Sequence, residues 1–237
     1  MAEAGLLKTL GIIGGTGPES TIDYYRLLIA TYRARNPDGS APPLFINSID
    51  NQKMLGLIGA GELAEVSEYL LSEIRKLERA GADFGLLAAN TPHVVFDILE
   101  RESSLPLLSI VEATCEAAKA AGFTRVGLFG TRFTMQGNFY PTVFAKAELA
   151  LAIPTAADQD YIHDKYMSEL VRGNFLPTTR AGLLAIAERL RETKKIEALI
   201  LGGTELPLLL RGAETESLPF LDTAKIHVEA AVARMLS

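Results

Sequence analysis

Several features are scarce in this sequence, and each scarcity excludes a class of protein. Cys115 is the only cysteine among the 237 residues, so no disulfide can form within the chain, and we expect the reducing conditions of the cytoplasm. With 23 basic and 29 acidic residues the net charge is -6, and the sequence has no Lys/Arg-rich stripe of the kind that binds nucleic acid. The apolar segment near Gly11 is too short for a signal peptide or for the roughly 20-residue helix that spans a membrane. We therefore predict that neither nucleic acid nor a membrane is a partner.

Metal ligands are also sparse. His93, His163 and His227 lie far apart in the sequence and lack the paired spacing of metal ligands, so no metal site is predicted. The rest of the composition, 48% apolar and 22% charged, is typical of a globular protein. A chain of this length can form one large domain or two small ones.

Apolar segments that predict strands alternate with amphipathic segments that predict helices. The predicted strands are residues 9–13, 43–49, 84–88, 105–109, 126–129 and 198–201. One helix is predicted from about residue 20, and the others at residues 63–80, 91–100, 111–121, 135–147, 158–172, 178–193 and 224–236. This alternation is typical of a parallel sheet that is covered by helices on both faces.

Two pairs of segments resemble each other, residues 10–17 with 126–131 and residues 84–91 with 198–204. Each segment is an apolar strand that ends in small and hydroxyl residues. We therefore predict an α/β fold of two pseudo-symmetric Rossmann-like lobes, residues 1–101 with 212–237 and residues 102–211, with an active-site cleft between them. Because such sheets bind ligands at the carboxyl ends of their strands, the loops after the strands are the candidate site.

Two of these loops lie in the N-terminal half. In residues 14–18 the glycines let the backbone N–H groups of Gly15 and Thr16 approach an anion at the start of a helix, although a simple tight turn explains the pattern as well. In residues 88–93, Thr91 can cap the following helix, but Asn90 and His93 exceed what a cap requires. A neutral histidine can act as an acid or a base, so His93 is a candidate base.

The other two loops lie in the C-terminal half. Residues 130–135 offer the hydroxyls of Thr131 and Thr134. Residues 202–207 offer the hydroxyl of Thr204 beside backbone N–H groups, and Glu205 either contacts a ligand or complements the dipole of the next helix.

Together these four loops resemble the aspartate/glutamate racemase family along nearly the whole chain. Residues 11–18 resemble the opening motif of that family, residues 90–93 the segment after its first catalytic cysteine, and residues 202–207 the segment around its second. Residues 130–131 and 220–223 also fit the family pattern. The resemblance implies an isomerase that needs no pyridoxal phosphate or other cofactor, acts on the Cα of a small acidic amino acid, and pairs as a homodimer.

Members of that family remove the Cα proton with one cysteine and return a proton from the other. The resemblance places these two positions at Ala89 and Gly203, neither of which can move a proton. Cys115 is not a substitute, because its helical pattern predicts a buried small residue.

Several interpretations therefore stay open. The chain is a racemase in which Gly203 replaces the second cysteine, a divergent enzyme that uses another group such as His93, or a protein that binds a small carboxylate without turnover. A one-sided lyase or decarboxylase of the same superfamily is a further alternative.

The resemblance also implies contacts to the substrate. It sets the α-carboxylate against Asn90, Thr91 and Thr204, and it makes Lys165 the cation for a distal carboxylate, although Lys165 fits a solvated helix face equally well. Asp50 and Gln52 follow a predicted strand and are expected at the rim of the site. The expected small-molecule partner is an acidic amino acid or a related carboxylate.

Overall fold

The computed structural model describes residues 7–36, 38–214 and 217–237. These residues form two compact units. The first unit contains the chain up to Ile110 together with the C-terminal segment His227–Ser237, and the second comprises Val111–Ile226.

Strands and helices alternate along the chain, as the sequence predicts. In chain order they are β1 (Leu10–Gly14), α1 (Pro18–Arg35), β2 (Leu44–Ser48), α2 (Asn51–Ala60), α3 (Leu63–Ala80), β3 (Phe84–Leu87), α4 (Phe96–Glu102), β4 (Leu107–Leu108), α5 (Ile110–Ala120), β5 (Arg125–Gly130), α6 (Arg132–Gln136), α7 (Phe139–Lys146), β6 (Ala150–Ala152), α8 (Ala156–Ser168), α9 (Pro177–Lys194), β7 (Ala198–Gly202), α10 (Leu206–Leu210), β8 (Phe220–Asp222) and α11 (Thr223–Met235). Two short 3-10 turns, Thr91–Val95 and Leu170–Arg172, complete the set for the described residues.

Each unit contains one four-stranded parallel sheet, and the two sheets have the same strand order. The first is β2-β1-β3-β4 and the second is β6-β5-β7-β8. The central strands β1, β3 and β7 are buried along their whole length, which is why they appear in the sequence as continuous apolar runs. The α/β fold of two pseudo-equivalent parallel-sheet units is therefore confirmed.

The unit boundaries differ from the expected lobes, residues 1–101 with 212–237 and residues 102–211. Residues of β4 pair with β3 in the first sheet, and residues of β8 pair with β7 in the second. Both strands are short, so a sequence pattern of period two has little length in which to appear. The strand pairing, which no local pattern encodes, decides to which unit these segments belong.

Helix α3 shows how the local sequence sets an element. Apolar residues recur at helical spacing and are buried at Val66, Leu70, Ile74 and Leu77. The helix ends at Gly81, which adopts φ 96°, a left-handed conformation that glycine reaches without strain. Its observed bounds match the predicted residues 63–80.

Other helices differ from expectation. Residues 135–147 were expected to form one helix, but Gly137 is extended and separates α6 from α7. Residues 91–100 begin as a 3-10 turn before α4 continues them. No helix within the described ranges is long and apolar enough to cross a membrane.

A buried histidine joins α11 to the rest of the first unit. The His227 Nε2–H donates to the Leu108 carbonyl at 3.0 Å, so Nδ1 accepts the hydroxyl hydrogen of Tyr24, also at 3.0 Å. Burial lowers the pKa of His227 to about 4, so the ring is neutral at physiological pH.

Candidate functional site

In the first unit, the loops after β1 and β3 lie side by side. The Ala88 N–H donates to the Ile13 carbonyl at 2.9 Å, which extends the pairing of the two strands as far as the loops. Gly15 adopts φ +80°, and a Cβ atom there would lie 2.6 Å from the carbonyl oxygen of Ile49, so a larger residue does not fit. The Gly15 N–H donates to Thr21 Oγ1 at 2.9 Å, so this amide stabilises the start of α1.

Thr16 carries a polar atom that the fold does not satisfy. Its Oγ1 is shielded from solvent and has no hydrogen-bond partner among the described residues. Buried hydroxyl groups normally have a partner, so an acceptor such as a ligand carboxylate would satisfy this one. On the neighbouring strand end, Ala89, Asn90 and Thr91 are all buried.

His93 is packed as a core residue. Its Nε2 accepts the Ile110 N–H at 3.3 Å, and its ring stacks on Phe96 with the ring centroids 4.7 Å apart. Burial, with a smaller contribution from His227, lowers the pKa of His93 to about 3. An imidazole with so low a pKa is a poor base at neutral pH, so the geometry argues against His93 as the catalytic base.

The two expected rim residues belong to the start of α2. Asp50 Oδ1 accepts the backbone N–H groups of Gln52 at 2.9 Å and of Lys53 at 3.2 Å. Asp50 is therefore the N-cap of this helix, and Gln52 lies in its first turn, with both side chains exposed. The sequence-based assignment overlooked this helix and its cap.

In the second unit, the hydroxyls after β5 serve the start of α6. Thr131 is the N-cap of α6, and its Oγ1 accepts the Thr134 N–H at 3.3 Å. The two hydroxyl oxygens are 3.2 Å apart, and both residues are buried. Gly130 pairs with Gly202 of β7, so this loop is adjacent to the one that begins at Gly203.

The space next to Gly203 is filled by Tyr166 of α8. A Cβ atom at Gly203 would lie 2.8 Å from Tyr166 Oη and 2.9 Å from Cζ, and closer still to Cε2. These separations are shorter than van der Waals contact, so no side chain fits at position 203 while Tyr166 keeps its place.

Tyr166 belongs to a buried hydrogen-bonded cluster. Its hydroxyl donates to Glu205 Oε2, and the Thr204 hydroxyl donates to the same oxygen at 3.2 Å. Tyr166 is 6% exposed, Glu205 3% and Thr204 4%. Burial raises the pKa of Tyr166, and the Glu205 carboxylate raises it further, so the phenol keeps its proton well into alkaline solution.

Lys165, the neighbour of Tyr166, has an acidic partner. Its Nζ forms an ion pair with Glu169, and this hydrogen bond raises the pKa of Lys165. The Thr179 hydroxyl donates to the other oxygen of Glu169. A distal carboxylate would therefore compete with Glu169 for the Lys165 amine.

Possible metal ligands are dispersed in the described part of the chain. No group of three or more His, Cys, Asp or Glu residues in these ranges is placed to hold a metal ion. Cys115 is 2% exposed, and burial raises the pKa of its thiol, which agrees with the predicted buried small residue.

Tyr166 was missed by the sequence-based reasoning. It lies 39 residues before Glu205 on a separate helix, and no spacing rule connects the two. The one available signal was the glycine at position 203, because a glycine where a side chain is expected often marks the close approach of another group.

Comparison with known proteins agrees with this architecture. The family model described as Asp/Glu/Hydantoin racemase matches residues 13–231. The broad specificity amino-acid racemase RacX of Bacillus subtilis is 26% identical, with 96% of this chain and 98% of that protein covered. A crystal structure of a candidate Asp/Glu racemase from Yersinia pestis is 31% identical with a TM-score of 0.87, and it covers 97% of this chain and 100% of its own.

A crystal structure of an aspartate racemase homologue from Pyrococcus horikoshii OT3 is similar to the same extent. It is 33% identical with a TM-score of 0.83, and the match covers 97% of this chain and 100% of that one. The family match, the two full-length structural matches and the paired parallel sheets agree, and the chain belongs to the Asp/Glu/hydantoin racemase family of isomerases.

Proposed function

We propose that the protein binds a small acidic amino acid or a closely related carboxylate and moves the proton at its Cα on one face, without a cofactor. Family membership supports chemistry at Cα. The buried Tyr166–Glu205 hydrogen bond beside Gly203 is the observation that carries the one-sided form. It puts a proton-bearing group next to one of the two family positions, whereas Ala89, at the other position, carries only a methyl group.

The relatives support an amino acid as the substrate class. RacX is described as a broad specificity amino-acid racemase, and the Pyrococcus horikoshii protein as an aspartate racemase homologue. Aspartate and glutamate are therefore the first ligands to test, and succinate is a useful unreactive analogue because it has no α-amino group.

In the first unit, we propose that Thr16, Asn90 and Thr91 contact a carboxylate of the ligand. The unsatisfied Thr16 Oγ1 supports this assignment, and Gly15 would keep the backbone close to the ligand. In the second unit, the proposed contacts are Thr204 and Glu205, with Thr131 and Thr134 forming the wall beside them and Lys165 reaching a distal carboxylate.

The proposal predicts exchange without inversion. A phenol that abstracts a proton as phenolate returns a solvent deuteron to the same face, so one enantiomer should incorporate deuterium while its conversion to the other stays far slower. Because burial and Glu205 raise the pKa of Tyr166, the rate of exchange should increase with pH.

The test is incubation of L- and D-aspartate and L- and D-glutamate in D2O. Proton NMR measures loss of the Cα signal, and chiral chromatography measures conversion. Deuterium uptake confined to one enantiomer supports the proposal, whereas conversion as fast as uptake would show two functional bases. Ligand-dependent amide shifts with no uptake would instead indicate a carboxylate-binding protein without turnover.

We also propose a homodimer that forms through α1 and β2. Ile22 and Tyr25 of α1 and Phe45 and Ile46 of the edge strand β2 are large apolar residues with 39–47% of their surface exposed. The two elements adjoin, because a Cβ atom at Gly14 would contact the side chains of both Thr21 and Ile46. Exposed large apolar residues on an edge strand and an adjoining helix are typical of a protein interface.

A further inference from the structure

A cavity in the second unit is lined by residues that differ from those of the candidate site. It has a volume of about 150 Å³ and is bordered by β7, α10, β8 and the start of α11. Its apolar lining consists of Leu201, Pro207 and Phe220. Leu201 and Pro207 are buried, whereas Phe220 is only half-buried. The cavity therefore offers apolar surface that a ligand could cover.

Four charged side chains complete the lining, and two of them offset each other. Asp222 Oδ2 accepts a hydrogen bond from Arg211 Nη2 at 3.0 Å, and Asp222 Oδ1 accepts the Lys225 backbone N–H at 3.0 Å. The Lys225 amine and the Glu214 carboxylate are exposed, and neither forms a hydrogen bond or an ion pair with another residue in the described ranges. One unpaired charge of each sign therefore lies beside the apolar lining.

The size of the cavity limits the ligand. Sites for drug-sized molecules and cofactors commonly have volumes of about 300–1,000 Å³, so this cavity is too small for a nucleotide. An apolar cavity of about 150 Å³ can hold a molecule as large as benzene. A branched apolar side chain of four carbon atoms fits within that limit.

We propose that this cavity binds an α-amino acid with an apolar side chain, such as leucine. The side chain packs against Phe220 and its apolar neighbours, the carboxylate pairs with Lys225, and the ammonium group pairs with Glu214. A zwitterion satisfies both unpaired charges at once, whereas an ion of a single sign leaves one of them unpaired. The ligand therefore differs from the acidic amino acid proposed for the candidate site.

Four ligands separate the parts of this proposal. L-leucine carries both charges and the apolar side chain, 4-methylpentanoate lacks the ammonium group, and 3-methylbutylamine lacks the carboxylate. L-serine keeps both charges but replaces the apolar side chain with a hydroxymethyl group. NMR titration of the whole chain follows binding through the backbone amide resonances of Leu201, Phe220 and Lys225.

Leucine should shift these resonances to saturation with a dissociation constant on the order of 1 mM, as expected for a ligand of about nine non-hydrogen atoms. Each analogue that lacks one charge should bind about fivefold more weakly, because an exposed ion pair contributes up to about that factor. Serine should bind at least about tenfold more weakly, because it buries less apolar surface. Saturating succinate should leave the affinity for leucine unchanged.

Two variants assign the charges. In Lys225→Met the amine is lost, so leucine and 3-methylbutylamine should bind equally. In Glu214→Gln the carboxylate is lost, so leucine and 4-methylpentanoate should bind equally. Lys119→Met is the matched control, because Lys119 is exposed on α5 of the same unit and lies outside the cavity, and it should leave all four affinities unchanged. All three changes are at exposed positions, and circular dichroism checks that each protein is folded.

Several outcomes would overturn the inference and leave the proposed function in place. The first is the absence of a saturable leucine-dependent shift at the three followed amides. Equal affinities of the unchanged protein for leucine and its two singly charged analogues would exclude recognition of a zwitterion. Displacement of leucine by succinate would show that leucine occupies the candidate site. An equal loss of leucine affinity in Lys119→Met and Lys225→Met would show a general effect of charge.

Discussion

Replacement of Gly203 by alanine should destabilise the protein because of Tyr166. The new Cβ atom would lie 2.8 Å from Tyr166 Oη and 2.9 Å from Cζ, whereas carbon atoms in contact prefer about 3.5–4.0 Å. Tyr166 is 6% exposed and hydrogen-bonded to Glu205, so its ring cannot swing away freely. Overpacking of this kind costs about 1–3 kcal/mol of unfolding free energy.

Gly56 of α2 is the matched control. A Cβ atom there would meet no atom within 4 Å, so Gly56→Ala should gain about 0.5–1 kcal/mol from reduced backbone entropy. Scanning calorimetry measures both effects, and a protein of this size shifts its midpoint by about 2–4 °C per kcal/mol. The two substitutions should therefore shift the midpoint in opposite directions.

Tyr166→Leu removes the ring atoms that the new methyl group would strike. In the Tyr166→Leu protein, Gly203→Ala should lower the free energy of unfolding by a smaller amount. The difference gives a coupling energy of about 1 kcal/mol or more between the two positions. The claim that Tyr166 fills this space would be refuted if Gly203→Ala left the melting temperature unchanged or raised it. An equal loss of unfolding free energy with and without Tyr166→Leu would refute it as well.

Three further predictions follow from the described contacts. Folding lowers the pKa of His93 to about 3 and of His227 to about 4 from an ordinary 6.5. The free energy of unfolding should therefore be full above pH 6.5 and decrease towards pH 4 by up to about 1.4 kcal/mol per pH unit for each histidine. Urea titrations at several pH values should show a shallower decrease in His227→Gln. Asp50→Ala should lower the free energy of unfolding by about 1 kcal/mol because α2 loses its cap, while ligand affinity measured by calorimetry stays the same. Asp50→Asn should restore the stability. Lost affinity with unchanged stability would favour a rim role. Ile46→Lys should convert a dimer to a monomer in light scattering, whereas Lys53→Ala, an exposed change on α2, should not; a monomeric unchanged protein would contradict the homodimer.

Much of the fold follows from local patterns. The central strands are continuous apolar runs because neighbours cover both of their faces, and α3 combines a regular apolar stripe with Gly81 at its end, so each pattern points to one structure. Helix α2 was overlooked because Gly56 and Gly59 interrupt its sequence, yet the cap by Asp50 compensates for their low helix propensity.

The candidate site is less visible in the sequence. His93 looked like an available base because it follows a strand among polar residues, but Phe96 stacks on it and Ile110 hydrogen-bonds to it, and these contacts depend on packing. The sequence could not connect Tyr166 with Gly203. A glycine indicates that a side chain is absent at its position, but it does not indicate which distant side chain occupies the space.

The discontinuity of the first unit affects the order in which the chain can mature. Residues Val111–Ile226 are contiguous, so the second unit has all of its residues once Ile226 has been synthesised. The first unit has β1 to β4 much earlier but needs His227, which accepts the Tyr24 hydroxyl and donates to the Leu108 carbonyl. During synthesis on the ribosome, the half that is translated first is therefore completed last, and its apolar core stays incompletely covered until its final residues have been added.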